Sequence, residues 1–98
     1  MESLELSMFN FWKNKKVFIT GHTGFKGSWL ALWLQRMGAE VYGYSLKPHT
    51  KQNLFTLARI DSLLHSDFGD IRDFENFHNA VSSFSPEIIF HLAAQPLV

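Results

Sequence analysis

The residues best suited to chemistry are three glycines spaced Gly-x-x-Gly-x-x-Gly after a short apolar segment. They are Gly21, Gly24 and Gly27, and the segment before them is Lys16-Val-Phe-Ile-Thr20. A loop of this kind between a buried strand and a helix offers unpaired N–H groups and the positive end of a helix dipole to phosphate. We expect Gly21 to permit a tight turn, Gly24 to let a ligand approach the backbone, and Gly27 to let helix and strand pack closely. The loop therefore predicts a pyrophosphate site.

Two alternatives to a dinucleotide loop exist. A P-loop requires Gly-Lys-Ser/Thr in that order, whereas this chain reads Lys26-Gly27-Ser28, so the lysine is misplaced and ATP or GTP hydrolysis is set aside. A glycine-rich turn without a ligand is the structural alternative, and the strand and helix patterns on either side disfavour it.

Composition excludes several other function classes. The net charge is zero and there is no cysteine, so nothing draws the chain to nucleic acid or to an acidic membrane surface, and disulfides and thiolate metal sites are excluded. No apolar run is long enough to cross a bilayer, and the N-terminus lacks the pattern of a secretory signal. The five histidines lack ligand spacing, so no metal site is predicted: His22, His49, His65, His78 and His91. These features favour a cytoplasmic protein.

The elements that must position the loop alternate between strands and helices. Strands are predicted at 16–20, 41–45, 66–68 and 87–92, and helices at 26–37, 54–64 and from the N-cap Asp73 to a stop at Pro86. Gly38 is the expected left-handed cap of the first helix, and 47–52 reads as a loop. Trp29 and Trp33 are interpreted as packing positions on the face of the first helix.

This alternation predicts an α/β fold, a partial Rossmann-type doubly wound parallel sheet made of its first four strands. Residues 1–14 are assigned to an N-terminal tail whose aromatic cluster packs as a flap. Residues 15–98 are assigned to the N-terminal part of a NAD(P)-binding domain. The chain ends soon after the fourth strand with no helix to cover it, so we expect it to be truncated.

At the glycine loop the chain resembles the extended short-chain dehydrogenase/reductase family, whose glycine motif has the same Gly-x-x-Gly-x-x-Gly spacing after the first strand. Segments 20–30, 69–73 and 91–98 resemble in particular its nucleotide-sugar 4,6-dehydratases that act on CDP-glucose. The likeness covers about residues 11–98. The Phe-Lys-Gly-Ser-Trp segment and the Ala-Ala-Gln-Pro-Leu-Val ending favour this subgroup over the epimerases of the family.

The resemblance implies positions for a dinucleotide. The glycine loop, with Thr23, Phe25 and Lys26, matches the family's pyrophosphate loop. Asp70 and Ile71 match a pair that contacts adenine, where a carboxylate can accept from the exocyclic amine. A turn or cap role for Asp70 after Gly69 is equally open. The loop after the fourth strand matches the ribose and nicotinamide side of the site: Ala93, Ala94 and Gln95.

The identity of the cofactor depends on the end of the second strand. NAD-preferring folds usually place Asp or Glu there to hold the ribose hydroxyls, but this chain has Ser45, with Lys47 nearby. Chemistry alone therefore permits NADP. The resemblance implies NAD, because the family's cofactor is used catalytically and regenerated within the site.

The resemblance also implies an activity and partners. NAD takes a hydride from C4 of the sugar, water is lost across C5 and C6, and the hydride returns to C6, converting CDP-glucose to CDP-4-keto-6-deoxyglucose for surface polysaccharide. The resemblance thus implies a nucleotide sugar as the substrate, and a homodimer of the intact protein formed through helices outside this chain.

No catalytic residue is assigned within these 98 residues. The family's Tyr-x-x-x-Lys pair is absent, since Tyr42 and Tyr44 are followed four positions later by Leu46 and Pro48. Two alternatives stay open. One is part of another enzyme of this family, a sugar epimerase or reductase. The other is a truncated, non-enzymatic nucleotide-binding module.

Overall fold

The fold is built on one parallel sheet. A computed structural model describes residues 10–47, 54–57 and 59–92 of the 98-residue chain. Within them the strand order is β3-β2-β1-β4. The strands are β1 (Lys16–Thr20), β2 (Glu40–Ser45), β3 (His65–Phe68) and β4 (Ile88–His91). The predicted α/β class and parallel sheet are confirmed.

Helices connect these strands in chain order. They are α1 (Phe25–Arg36), α2 (Leu54–Leu57), α3 (Ile60–Leu63) and α4 (Phe74–Phe84). None of the helices in the described ranges is long and apolar enough to cross a membrane. Gly38 has φ 87°, which confirms the left-handed residue expected after α1.

The single helix predicted over 54–64 is wrong. Two helices of one turn each replace it, and Arg59 between them has φ 51°. A left-handed residue cannot continue a right-handed helix, because its carbonyl and N–H groups leave the hydrogen-bond ladder. The carbonyl of Arg59 instead accepts from the N–H and the hydroxyl of Ser62.

Apolar side chains alternate between the two faces of the central strand, β1. Val17 and Ile19 belong to a core cluster that α1, α2 and α3 cover, while Phe18 belongs to a second cluster that α4 covers. All three side chains are fully buried. A strand buried on both faces is what the consecutive apolar residues 17–19 predict.

The N-terminal aromatic residues behave differently from one another. Trp12 packs against the first cluster and its ring lies 5.9 Å from that of Trp33. Phe11 is half exposed. Met8 and Phe9, the other members of the predicted flap, lie outside the described residues. Trp29 is 55% exposed to solvent among the residues that the structure describes. The prediction that Trp29 packs on the face of the first helix is therefore wrong.

The register of the sheet brings the carboxyl ends of the strands to one edge. Thr20 pairs with Tyr44 of β2 and with His91 of β4, and Ser45 pairs with Phe68 of β3. The chain leaves β1 toward β2 on one side, while β4 lies on the other side of β1. Such a reversal opens a crevice at the carboxyl ends of the strands, where ligands bind in open α/β sheets.

Candidate functional site

The glycine loop lies at this crevice and starts with a tight turn. Gly21 has φ 84°, in the left-handed region. Its N–H donates to the carbonyl of Tyr44 at 3.0 Å, and its own carbonyl accepts from the N–H of Gly24 at 3.2 Å. The loop is therefore fastened to β2 before α1 begins.

Gly24 and Gly27 differ in the space around them. A Cβ on Gly27 would overlap the carbonyl oxygen of Gly21 and lie 2.9 Å from the Cα of His22. A Cβ on Gly24 would meet only that carbonyl oxygen, at an ordinary 3.5 Å. The fold itself thus requires glycine at 27, whereas at 24 it would accept a Cβ at ordinary contact distance.

The first turn of α1 is suited to an anion. The helix is capped by Gly24, which has no side chain to accept from the N–H groups of the first turn. Within residues 10–47, 54–57 and 59–92 no side chain caps the helix, and no acidic residue occupies its first turn. Lys26 adds a positive charge there, and Phe25 is 70% exposed beside it. The dipole, the lysine and the free N–H groups all favour negative charge at this point.

A hydroxyl pair joins the loop to the end of β2. The Oγ1 of Thr23 lies 2.8 Å from the Oγ of Ser45 and 2.8 Å from the carbonyl oxygen of Leu46. Ser45 is buried, and its carbonyl accepts from the N–H of Gly69 at 2.8 Å. The structure thus brings Thr23 and Ser45 together beside the three glycines.

His22 fills the space under the loop. Its ring is fully buried against Gly43, where a Cβ would lie 2.7 Å from the Nδ1 atom, and its Nε2 lies 2.5 Å from the Oγ of Ser66. Nδ1 has no hydrogen-bond partner within the described part of the chain. Burial lowers the pKa of His22 from 6.5 to about 4, against the opposing charge of Asp67, so the ring is neutral at pH 7.

Asp70 is held by a neighbour that the sequence did not single out. Arg72 donates from Nε to both carboxylate oxygens, at 3.0 and 2.9 Å, and from its backbone N–H to Oδ1 at 2.9 Å. These hydrogen bonds lower the pKa of Asp70. The carboxylate is therefore ionised and fixed in orientation, but much of its acceptor capacity is already used. Ile71 packs against the second core cluster.

The end of β4 is anchored to β1. The Oγ1 of Thr20 lies 2.8 Å from the Nδ1 of His91 and accepts from the N–H of Leu92 at 3.1 Å. The candidate residues after this point lie outside the described residues: Ala93, Ala94 and Gln95. Most of the predicted loop 47–52 also lies outside them.

Three features of the site were missed from the sequence. The contacts of His22 with Ser66 and of Arg72 with Asp70 follow no sequence pattern, because each depends on the conformation of the turn in which the residue lies. Gly43 did carry a signal: an isolated glycine within a buried strand indicates a close approach, here by the ring of His22.

Known proteins resemble this chain over most of its length. The family model described as GDP-mannose 4,6 dehydratase matches residues 18–98. The CDP-glucose 4,6-dehydratase of Salmonella typhimurium strain LT2 is 60% identical over 89 residues, covering 91% of this chain and 25% of that protein. The GDP-mannose 4,6-dehydratase of Vibrio cholerae serotype O1 is 34% identical, covering 84% of this chain and 24% of that protein.

A solved structure shows the same fold. An epimerase from Methanothermobacter thermautotrophicus superposes with a TM-score of 0.71 and 25% identity, over 95% of this chain and 26% of that one. The chain thus spans about a quarter of the length of the proteins it matches. Since the family model extends from the middle of β1 to residue 98, the chain belongs to the GDP-mannose 4,6 dehydratase family.

Proposed function

We propose that this chain forms part of the cofactor-binding domain of a longer nucleotide-sugar 4,6-dehydratase that uses NAD and acts on CDP-glucose. The observation that carries the proposal is the glycine loop. Gly27 brings the N-terminus of α1 against the carbonyl of Gly21, and Gly24 places no side chain in the space in front of that terminus. A pyrophosphate in that space would accept from the free N–H groups of the first turn.

The order of the strands supports the same assignment. Along the carboxyl edge, the loop after β3 carries Asp70, the end of β2 carries Ser45, and the glycine loop follows β1. Taken in this spatial order, the three groups suit the adenine, the adenosine ribose and the pyrophosphate of one extended dinucleotide, respectively. The nicotinamide would then lie toward β4, where the resemblance implies Ala93, Ala94 and Gln95.

The residues of this chain would bind and orient the cofactor rather than move protons. Bound NAD would supply hydride transfer to and from the sugar. Ser45, hydrogen-bonded to Thr23, would hold the ribose end, and Lys26 would offset the charge of the pyrophosphate. The acid and base of the dehydration are assigned to parts of the longer protein outside these 98 residues.

The relatives support the choice of substrate. The protein from Salmonella typhimurium, which is 60% identical, is a CDP-glucose 4,6-dehydratase, and this favours CDP-glucose over GDP-mannose for the longer protein. We further propose that the intact enzyme is a cytoplasmic homodimer that binds neither nucleic acid nor membranes.

The test is an assay of the full-length protein with CDP-glucose, GDP-mannose and UDP-glucose as separate substrates. We expect CDP-glucose to yield a 4-keto-6-deoxy sugar, seen as the loss of one water by mass spectrometry, without consumption of added NAD. Inversion at C4 without loss of water would instead show an epimerase. Dinucleotide binding without conversion of any of the three sugars would favour the non-enzymatic module.

A further inference from the structure

The hydroxyl of Thr23 lies between two oxygen atoms, and only one of them can donate. Its Oγ1 lies 2.8 Å from the carbonyl oxygen of Leu46, which can only accept, and 2.8 Å from the Oγ of Ser45. A threonine hydroxyl carries a single proton. If both contacts are hydrogen bonds, Thr23 must donate to Leu46, and Ser45 must donate to Thr23.

This order of donors and acceptors fixes what Ser45 can offer to a ligand. Its one proton is committed to Thr23, so its Oγ is left as an acceptor. The residue is 7% exposed, which leaves its side chain little room to rotate, and its backbone is fixed where the carbonyl accepts from the N–H of Gly69. Ser45 therefore presents lone pairs at the carboxyl end of β2.

An acceptor at this position distinguishes the two nicotinamide cofactors. The adenosine ribose of NAD carries hydroxyls that can donate, whereas a 2′-phosphate has three acceptor oxygens and is mostly dianionic at pH 7. A serine that can only accept would bind a ribose hydroxyl. It could not form a hydrogen bond with a 2′-phosphate, because both groups would be acceptors. The charge of exposed Lys47, two residues later, would favour the phosphate, and a serine restricted to accepting opposes that preference.

We propose that Thr23 sets the choice of cofactor by holding Ser45 as an acceptor, so that the site takes NAD without an acidic residue at the end of β2. This inference rests on the proposed function, because it needs a dinucleotide in the crevice. Thr23 acts here as a positioning residue, and Ser45 is the group that contacts the ribose.

The experiment measures the dissociation constants of NAD and NADP for the full-length protein by calorimetry. Thr23→Val keeps the side-chain shape but removes the hydroxyl, which frees the proton of Ser45. We expect the ratio of NADP to NAD affinity to rise about tenfold, the size of one hydrogen bond to a charged group. Thr23→Ser keeps the hydroxyl and should retain the wild-type ratio.

A second variant separates this role from a loss of loop structure. Ser45→Ala leaves the Thr23–Leu46 hydrogen bond in place, and it should weaken the binding of NAD but not that of NADP. An equal loss for both cofactors in Thr23→Val and in Ser45→Ala would overturn the inference, as would a wild-type preference for NADP. Failure of the wild-type protein to bind either cofactor would overturn the proposed function as well.

Discussion

Gly24 and Gly27 lie three residues apart in one loop, and the structure assigns them different sensitivities to substitution. We expect Gly27→Ala to lower the free energy of unfolding of the full-length protein by about 1–3 kcal/mol, because the new Cβ would overlap backbone atoms that cannot rotate away. Denaturant unfolding followed by circular dichroism measures the change.

Gly24→Ala is the matched control for that prediction. Its Cβ would find ordinary contact distance from the carbonyl of Gly21, and its φ of −76° suits any residue. Its unfolding midpoint should stay close to that of the wild type. Equal losses in the two variants would show that the close contact at Gly27 does not support the fold.

The buried ring of His22 makes stability depend on pH. Its pKa is about 4 in the folded protein against 6.5 in the unfolded chain, so the unfolded chain binds the proton more readily. This contribution is fully present above pH 6.5 and is lost as the pH falls toward 4. We expect a loss of up to about 3 kcal/mol across that window, measured by unfolding at a series of pH values.

His22→Gln should flatten this pH dependence, although it also lowers stability by removing the buried ring. His78→Gln, at an exposed position on α4, is the matched control and should retain the wild-type slope. A slope unchanged by His22→Gln would mean that other groups cause the pH dependence.

At the scale of single elements, α4 depends on its N-cap. The side chain of Asp73 accepts from the N–H of Asn76 at 3.4 Å and from its side-chain amide at 2.8 Å. Asp73→Ala should cost about 1 kcal/mol of stability, the usual value of such a cap. Glu75→Gln removes a charge from the same turn without touching the cap and should cost less. An equal effect would indicate that charge, not capping, matters.

Elements with a local signal were predicted well. Asp73 before an amphipathic segment and Gly38 after one are both confirmed at the ends they mark. The segment 54–64 has apolar residues at helical spacing, but it contains no glycine or proline that would indicate the end of a helix at Arg59. A left-handed residue other than glycine is uncommon because its Cβ crowds the following carbonyl oxygen, and no local pattern in the sequence marks Arg59 as one.

The contacts between elements were also beyond the sequence. The glycine spacing predicted the loop and the close approach at Gly27. The hydrogen bond between Thr23 and Ser45 joins residues 22 positions apart, and it exists only because the register of the sheet brings the end of β2 beside the loop. Patterns along the chain indicate elements, whereas such contacts require their arrangement in space.

For the whole molecule, exposed apolar groups predict the behaviour of residues 1–98 alone. Within the described ranges β4 pairs with β1 only, and large side chains on α1 and β4 are at least half exposed: Phe25, Trp29 and Ile89. We expect this chain by itself to be marginally stable or to associate, since an unpaired edge and apolar surface favour self-association.

Size-exclusion chromatography and thermal unfolding of residues 1–98 check this expectation, with the full-length protein as the reference. Elution as aggregate or a broad unfolding transition is expected for the short chain. A monomer that unfolds in one sharp, cooperative step would contradict it.

The most direct test of the account is the affinity of the full-length protein for NAD, compared between the wild type and Gly24→Ala. The added methyl group would enter the space where we place the pyrophosphate, while it keeps an ordinary contact distance from the carbonyl of Gly21. We predict at least about tenfold weaker binding with an unchanged unfolding midpoint. Equal affinity in the two proteins would contradict the claim that this loop binds the cofactor.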